Sequence, residues 1–203
     1  YIMRSINRLN EEIARWAFEI LFKDRNDWVI AFTNPTAGPW KTIKASDING
    51  EIGEVYRFAL KENRPDIVMY NDDLQTVMII EAKDNIDKLI AGDQAEKSAE
   101  VVNDLAVKLR TLSENPYWSR RTDCSIVLGI LWGSNDETAS DRTKDRVFDK
   151  YHALITRDGN VSSNLVVGIE SLYARGSITC SAFYKTYSAD ASRQASQIVE
   201  TLL

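Results

Sequence analysis

The sequence predicts an α/β fold, a central mixed β-sheet flanked by helices, on three observations. Apolar runs with strand character alternate along the chain with segments of helical periodicity. Two β-rich runs, Asp66-Ile67-Val68-Met69-Tyr70 and Thr76 to Lys83, are separated by the turn chemistry of Asn71-Asp72-Asp73, which predicts a hairpin. The second run is apolar on both parities up to Ile80, as in a strand buried on both faces, so layers must cover the sheet on each side.

Each element has its own warrant. From Ser5 to Phe22 the residues Leu9, Ile13, Trp16, Ile20 and Leu21 recur at helical spacing behind a capping Ser5. A short strand is expected at Trp28 to Phe32, and Asn34-Pro35 with Gly38-Pro39 then mark a loop. The stretch from Trp40 to Leu60 reads equally as strand or as short helix before the break at Asn63-Arg64-Pro65. After the hairpin comes a helix over about Asp93 to Leu112, with Ala95, Ala99, Val102, Leu105, Ala106, Leu109 and Leu112 on its buried face. A strand at Cys124 to Trp132, a charged helix at Thr138 to Leu154, strands at Asn164 to Ile169 and Ile178 to Tyr184, and a terminal helix from Ser188 to Leu203 complete the order.

A chain of 203 residues suits one domain, large enough for a core without disulfides or structural metal. Residues 1–203 are therefore expected as a single unit, with a core over about 5–135 and residues 136–203 completing the fold or serving recognition or dimerisation. With Tyr1 rather than Met at the first position, a fragment of a longer protein is also an open reading. Arg4, Asn7 and Arg8 interrupt the first residues, and no apolar run approaches the roughly 20 residues of a membrane span. Cys124 and Cys180 each lie in an apolar stretch and read as packed, reduced thiols, which implies a cytoplasmic setting. The net charge of -5 counts against charge-driven, nonspecific nucleic-acid binding, while leaving room for a local basic groove. No phosphate-binding Gly-Lys-Ser/Thr loop and no GxGxxG pattern is present, so no nucleotide cofactor is expected.

The chemistry concentrates on the hairpin. Asp66 opens its first strand and Glu81 closes its second, so antiparallel pairing brings both carboxylates to one edge of the sheet. Two carboxylates, a main-chain carbonyl and waters make the hard, incomplete oxygen shell that magnesium favours when it also grips a phosphate. Lys83, two residues beyond Glu81, shares the strand face of the glutamate. Of the four prolines only Pro65 precedes an aspartate, and of all the lysines only Lys83 follows an acidic residue by two positions. The plainer alternative is a surface hairpin with a cross-strand salt bridge, which would contribute at most about 1 kcal/mol.

These residues, Pro65-Asp66, a gap of fourteen residues, then Glu81-Ala82-Lys83, resemble the signature of the PD-(D/E)XK nuclease superfamily, and among its members most closely the type II restriction endonucleases. The resemblance covers the core from the first helix to the strand at Cys124 to Trp132. It implies a restriction-endonuclease-like sheet and a Mg²⁺-dependent endonuclease acting on double-stranded DNA, with Mn²⁺ able to substitute. It further implies Asp66, Glu81 and the Ala82 carbonyl as metal ligands, Lys83 as the residue that orients or deprotonates water, and a homodimer that cuts both strands. Many members add a glutamate from the N-terminal helix. At about 100° per residue Glu12 lies beside Leu9 and Trp16 at the edge of the apolar face, ahead of Glu19 and Glu54, while Glu11 points away. Some members place a glutamine or lysine at the start of the following helix, where Gln94 and Lys97 stand here, although a solvated first turn explains both.

Other basic residues have two readings each. Lys41 beside Trp40, and Arg120 and Arg121 after Tyr117-Trp118, could contact DNA or lie in loops with half-buried aromatics. Arg142, Arg146 and Lys150 form a helical stripe, but Asp141, Asp145 and Asp149 run beside it, which favours an ion-paired exposed helix. His152, the only histidine, argues against hydrolases that need paired histidines and reads as a helix-face residue. A repair or junction nuclease, the cleavage domain of a larger enzyme, and a noncatalytic nucleic-acid-binding module are the rival expectations.

Overall fold

The hairpin forms where the turn chemistry predicts it, one residue later. Asn71 Oδ1 accepts the Leu74 amide at 2.9 Å, the Gln75 amide donates to Asp72 O at 3.2 Å, and Gln75 closes the turn with a left-handed φ of 47°. The strands on either side are β2 (Ile67–Asn71) and β3 (Thr76–Lys83), paired antiparallel from Asn71↔Thr76 to Ile67↔Ile80. The computed structural model describes residues 28–33, 66–93, 96–97, 99–100, 102–103, 125–157 and 163–202. The expected first helix, the 34–65 stretch and most of the expected 93–112 helix lie outside these residues; those described between 92 and 103 are helical.

Six strands form one mixed sheet in sequence order. β1 (Val29–Thr33) pairs antiparallel with β2, with a register shift between Ile30 and Phe32. β4 (Ser125–Asn135) runs parallel to β3, β5 (Leu165–Ala174) parallel to β4, and β6 (Ser177–Thr186) antiparallel to β5. Parallel neighbours need crossovers. The one from β3 to β4 contains a 3₁₀ turn, Ile86–Ile90, and the helical residues of 92–103. The one from β4 to β5 is helix α1 (Asp141–Thr156), capped by Ser140, whose hydroxyl accepts the Thr143 amide. Helix α2 (Ala191–Leu202) ends the described chain.

Side-chain alternation divides the core into two clusters, one on each face of the sheet. On the first face Val68, Val77, Ile79, Leu128, Ile130 and Trp132 meet Val147, Phe148, Tyr151 and Ile155 of α1. On the other, Met69, Met78, Ile80, Leu131 and Val167 meet Ala195, Ile198 and Leu202 of α2, and Trp28 donates its indole N–H to Thr201 at 2.9 Å. β3 is buried through seven of its eight residues, as expected of a strand covered on both sides. Each aliphatic side chain so buried contributes roughly 1.5–3 kcal/mol. Asp66, Glu81 and Lys83 share parity with Val68, Val77 and Ile79, so they emerge on the face beneath α1.

The charged helix is ion-paired both along itself, where Lys144 lies 3.4 Å from Asp141 Oδ1, and to other elements. Arg146 pairs with Asp87, and Lys185 of β6 bridges Asp145 and Asp149 at 3.1 and 3.0 Å. His152 occupies the helix face, stacked on Tyr187 with ring centroids 3.7 Å apart and with Nε2 2.7 Å from Ser163 O. Cys180 is a free thiol beside Ser171, and Cys124 lies outside the described residues. Among the described residues no helix is long and apolar enough to cross a membrane.

Candidate active site

The β2–β3 register carries directly into the site. With Ile67 opposite Ile80, Asp66 falls beside the last turn of pairing, and its Oδ2 accepts the Ala82 amide at 2.8 Å. A side chain thus continues the ladder where the backbone of β2 leaves it. Asp66 and Glu81 are only 6% and 5% exposed, and burial of two carboxylates side by side is costly unless a cation or donors answer them. The Lys83 ammonium does so: it lies 3.9 Å from Asp66 Oδ2 and 3.5 Å from Glu81 Oε2, and donates to Ala82 O at 3.0 Å. Lys83 thus answers both carboxylates at once.

That donor set suits a hard divalent ion: two carboxylates and a main-chain carbonyl, all oxygen, at the carboxyl end of a strand parallel to its neighbour. Among the described residues no group of three or more His, Cys, Asp or Glu side chains converges anywhere. Glu12, with Glu19 and Glu54, lies outside the described residues, as do Lys41, Gln94, Arg120 and Arg121. Lys97 is exposed on the helical residues that follow the 3₁₀ turn, with no described hydrogen bond or ion pair to Asp66, Glu81 or Lys83.

Two residues not singled out in the sequence stand on the same face. Glu170 of β5 is in register with Trp132, which is in register with Lys83. Glu170 is 1% exposed, and its Oε1 accepts Trp132 Nε1 at 3.0 Å, Ser134 Oγ at 2.6 Å and the Ala139 amide at 2.7 Å. It ties the end of β4 to the segment entering α1. Tyr151 of α1 is fully buried, and its hydroxyl has no hydrogen-bond partner among the described residues. Burial, then the charge of Glu81, then that of Asp66, push its phenol well above 10.0. The helical recurrence of Val147, Tyr151 and Ile155 marks Tyr151 as inward-facing, but nothing in the sequence says that it faces the carboxylates.

Beyond the strand ends a cleft of about 410 Å³ opens between Asp84, Asn85 and the Ser134–Asn135 end of β4. Its acids are largely answered, since Asp84 accepts Lys88 at 2.5 Å and Asp87 pairs with Arg146. Its lining starts one residue after Lys83 in the sequence and includes none of Asp66, Glu81 and Lys83. The chain matches no protein-family model, no curated protein and no solved structure.

Proposed function

We propose that the protein is a Mg²⁺-dependent endonuclease that hydrolyses phosphodiester bonds in double-stranded DNA, in the manner of a type II restriction endonuclease. The observation that carries this reading is the gathering of Asp66 Oδ2, Glu81 Oε2, Ala82 O and the Lys83 ammonium within one small cluster at the end of β3. The mixed sheet with helices on both faces is compatible with a restriction-endonuclease-like fold.

In this reading Asp66, Glu81 and the Ala82 carbonyl hold the ion. Magnesium, or manganese in its place, supplies Lewis-acid polarisation of the phosphoryl group and of water. Lys83 orients the attacking water and offsets charge that develops on the phosphoryl oxygens. The Ala82 amide fixes the Asp66 carboxylate through its 2.8 Å hydrogen bond. A homodimer places one such site on each DNA strand.

The test is cleavage of supercoiled plasmid and long linear DNA with Mg²⁺, beside Asp66→Ala, Lys83→Ala and an EDTA control. Discrete fragments lost in both variants are expected. Smearing or nicking with the same dependence would assign a repair or nonspecific nuclease, or a cleavage domain separated from its recognition domain. Wild-type protein that cuts no duplex, branched or single-stranded substrate, or variants that cut as well as wild type, would overturn the reading.

A further inference from the structure

Strand β6 ends the sheet among the described residues, and its sequence does little to guard that edge. Edges are normally blunted by proline, bulges or free charges. Across Ser177–Thr186 there is no proline, no residue is buried, and pairing with β5 runs without a bulge. The single charge, Lys185, is held by Asp145 and Asp149 of the same chain at 3.1 and 3.0 Å.

The hairpin fixes which backbone groups are left over. Its two-residue turn, Arg175-Gly176, makes Ala174 and Ser177 the hydrogen-bonded closing pair. Bonds to β5 therefore fall on the odd-numbered residues from Ser177 to Lys185, a series that the Tyr187 amide continues by donating to Asn164 O at 2.8 Å. The N–H and C=O groups of Ile178, Cys180, Ala182 and Tyr184 point outward. Their side chains lie on the α2 face, because Phe183 packs on the α1-side cluster. That face carries the three exposed large apolar side chains of the described residues: Tyr173 at 46%, Ile178 opposite it at 36%, and Tyr184 at 44%. Ile178 and Tyr184 stand three residues either side of Ser181.

We propose that two copies of the chain pair through β6, antiparallel about a two-fold axis at Ser181, and continue the sheet from one subunit into the other. In this register the outward groups meet as hydrogen-bonded pairs, Ile178 with Tyr184 of the second copy and Cys180 with Ala182 of the second copy. Tyr173, Ile178 and the second copy's Tyr184 then form one apolar row, a β-branched residue between two aromatics, and the two-fold repeats it. The exposed Arg175 at the hairpin tip comes to the end of the second copy's strand, where Asp145 and Asp149 are more than half exposed and carry the complementary charge. The inference gives the homodimer of the proposed function its interface, and it stands without the catalytic assignment of Asp66, Glu81 and Lys83.

The test is sedimentation equilibrium of the full chain beside edge variants whose circular dichroism matches wild type. Wild type should be dimeric. Ala182→Pro removes one outward N–H and no bond to β5, while Ile178→Glu and Tyr184→Lys each put a charge into the apolar row. Each should weaken association about tenfold or more, and Ile178→Glu combined with Tyr184→Lys, which sets opposite charges face to face, should recover part of it. Ser181→Cys, in a chain that also carries Cys124→Ser and Cys180→Ala, should form an intersubunit disulfide in air, since such partners lie about 4.5 Å apart. Thr179→Cys, opposite Phe183 of the second copy, should not.

A monomeric wild type overturns the proposal, as does a dimer that all three single substitutions leave intact. Equal cross-linking by Thr179→Cys and Ser181→Cys overturns the register. If Ala182→Pro fails to fold, the solvent-facing changes Tyr184→Lys and Ser181→Cys decide the matter. None of these results touches the carboxylate site, which is tested by cleavage.

Discussion

Lys83 plays two parts whose effects can be separated. Its ammonium sits among Ala82 O, Glu81 Oε2 and Asp66 Oδ2 at 3.0, 3.5 and 3.9 Å, the same oxygens that the proposed function gives to the metal. Two cations drawing on one set of oxygens repel each other, so under the proposed function a lysine that assists hydrolysis would also weaken metal binding. In Lys83→Ala two buried carboxylates lose a charge partner, and breaking such a pair costs about 3–5 kcal/mol where burial is complete. The metal-free variant should therefore melt lower than wild type, gain more from Mg²⁺, and lose about 10²–10⁴-fold in cleavage rate. Calorimetric or thermal-shift titration beside a cleavage assay reads both effects. Loss of the metal response together with the activity would show that Lys83 supports binding rather than competing with it. Asp66, Glu81 and Lys83 were legible in the sequence because hairpin pairing and strand parity are local rules. Glu170 and Tyr151 were not, because they reach this face only through the β4–β5 register and the packing of α1, and neither is encoded in local spacing.

Among the elements, the hairpin and the buried β3 follow from period and turn residues, whereas the second hairpin is longer than the sequence suggests. The apolar run ends at Ile169, where the chain turns polar, yet β5 continues to Ala174. Glu170 lies inside the strand with Trp132, Ser134 and the Ala139 amide all donating to its Oε1, while its buried Oε2 has no hydrogen-bond partner among the described residues. The turn is Arg175-Gly176, both with positive φ, 51° and 80°, the two-residue geometry that suits the twist of paired strands. Gly168 has a different task. A Cβ there would lie 2.9 Å from Trp132 Cζ3 and closer still to Phe148 Cζ, so its absence lets α1 press onto β5. Gly168→Ala should cost about 1–3 kcal/mol by overpacking, read as a lower urea midpoint at unchanged m. Adding Phe148→Leu should restore part of the stability. An unchanged midpoint in the single variant would mean that the helix can withdraw without loss, and that its seat on the sheet does not fix the site.

At the scale of the whole molecule the sheet separates two apolar clusters, and the shifted protonation equilibria belong to groups on α1, on the edge strand β6 and just beyond it. The phenol of Tyr151 is raised by burial and by Glu81 and Asp66, that of Tyr187 by burial and by Asp149, and the Cys180 thiol by burial. Burial works against the Lys185 ammonium, but hydrogen bonds to Asp149 and Asp145 outweigh it and raise its pKa. All four groups hold their protons more tightly folded than unfolded. The stability they confer is thus complete below their unfolded values of 9.0 for the thiol, 10.0 for the phenols and 10.5 for the ammonium. It is lost as pH rises through the folded values. A group that titrates in the unfolded chain alone removes about 1.4 kcal/mol per pH unit. The urea midpoint should therefore hold through the neutral range, begin to fall above about pH 9 as the thiol titrates, and fall steeply once tyrosine ionises in the unfolded chain. Tyr151→Phe, lacking the most deeply buried of these groups, should show a shallower alkaline slope, and Lys185→Met a smaller change, because its partners Asp145 and Asp149 are more than half exposed. A midpoint that stays level through the tyrosine range in wild type, or a slope unaltered by Tyr151→Phe, would contradict a protonated phenol locked in the core.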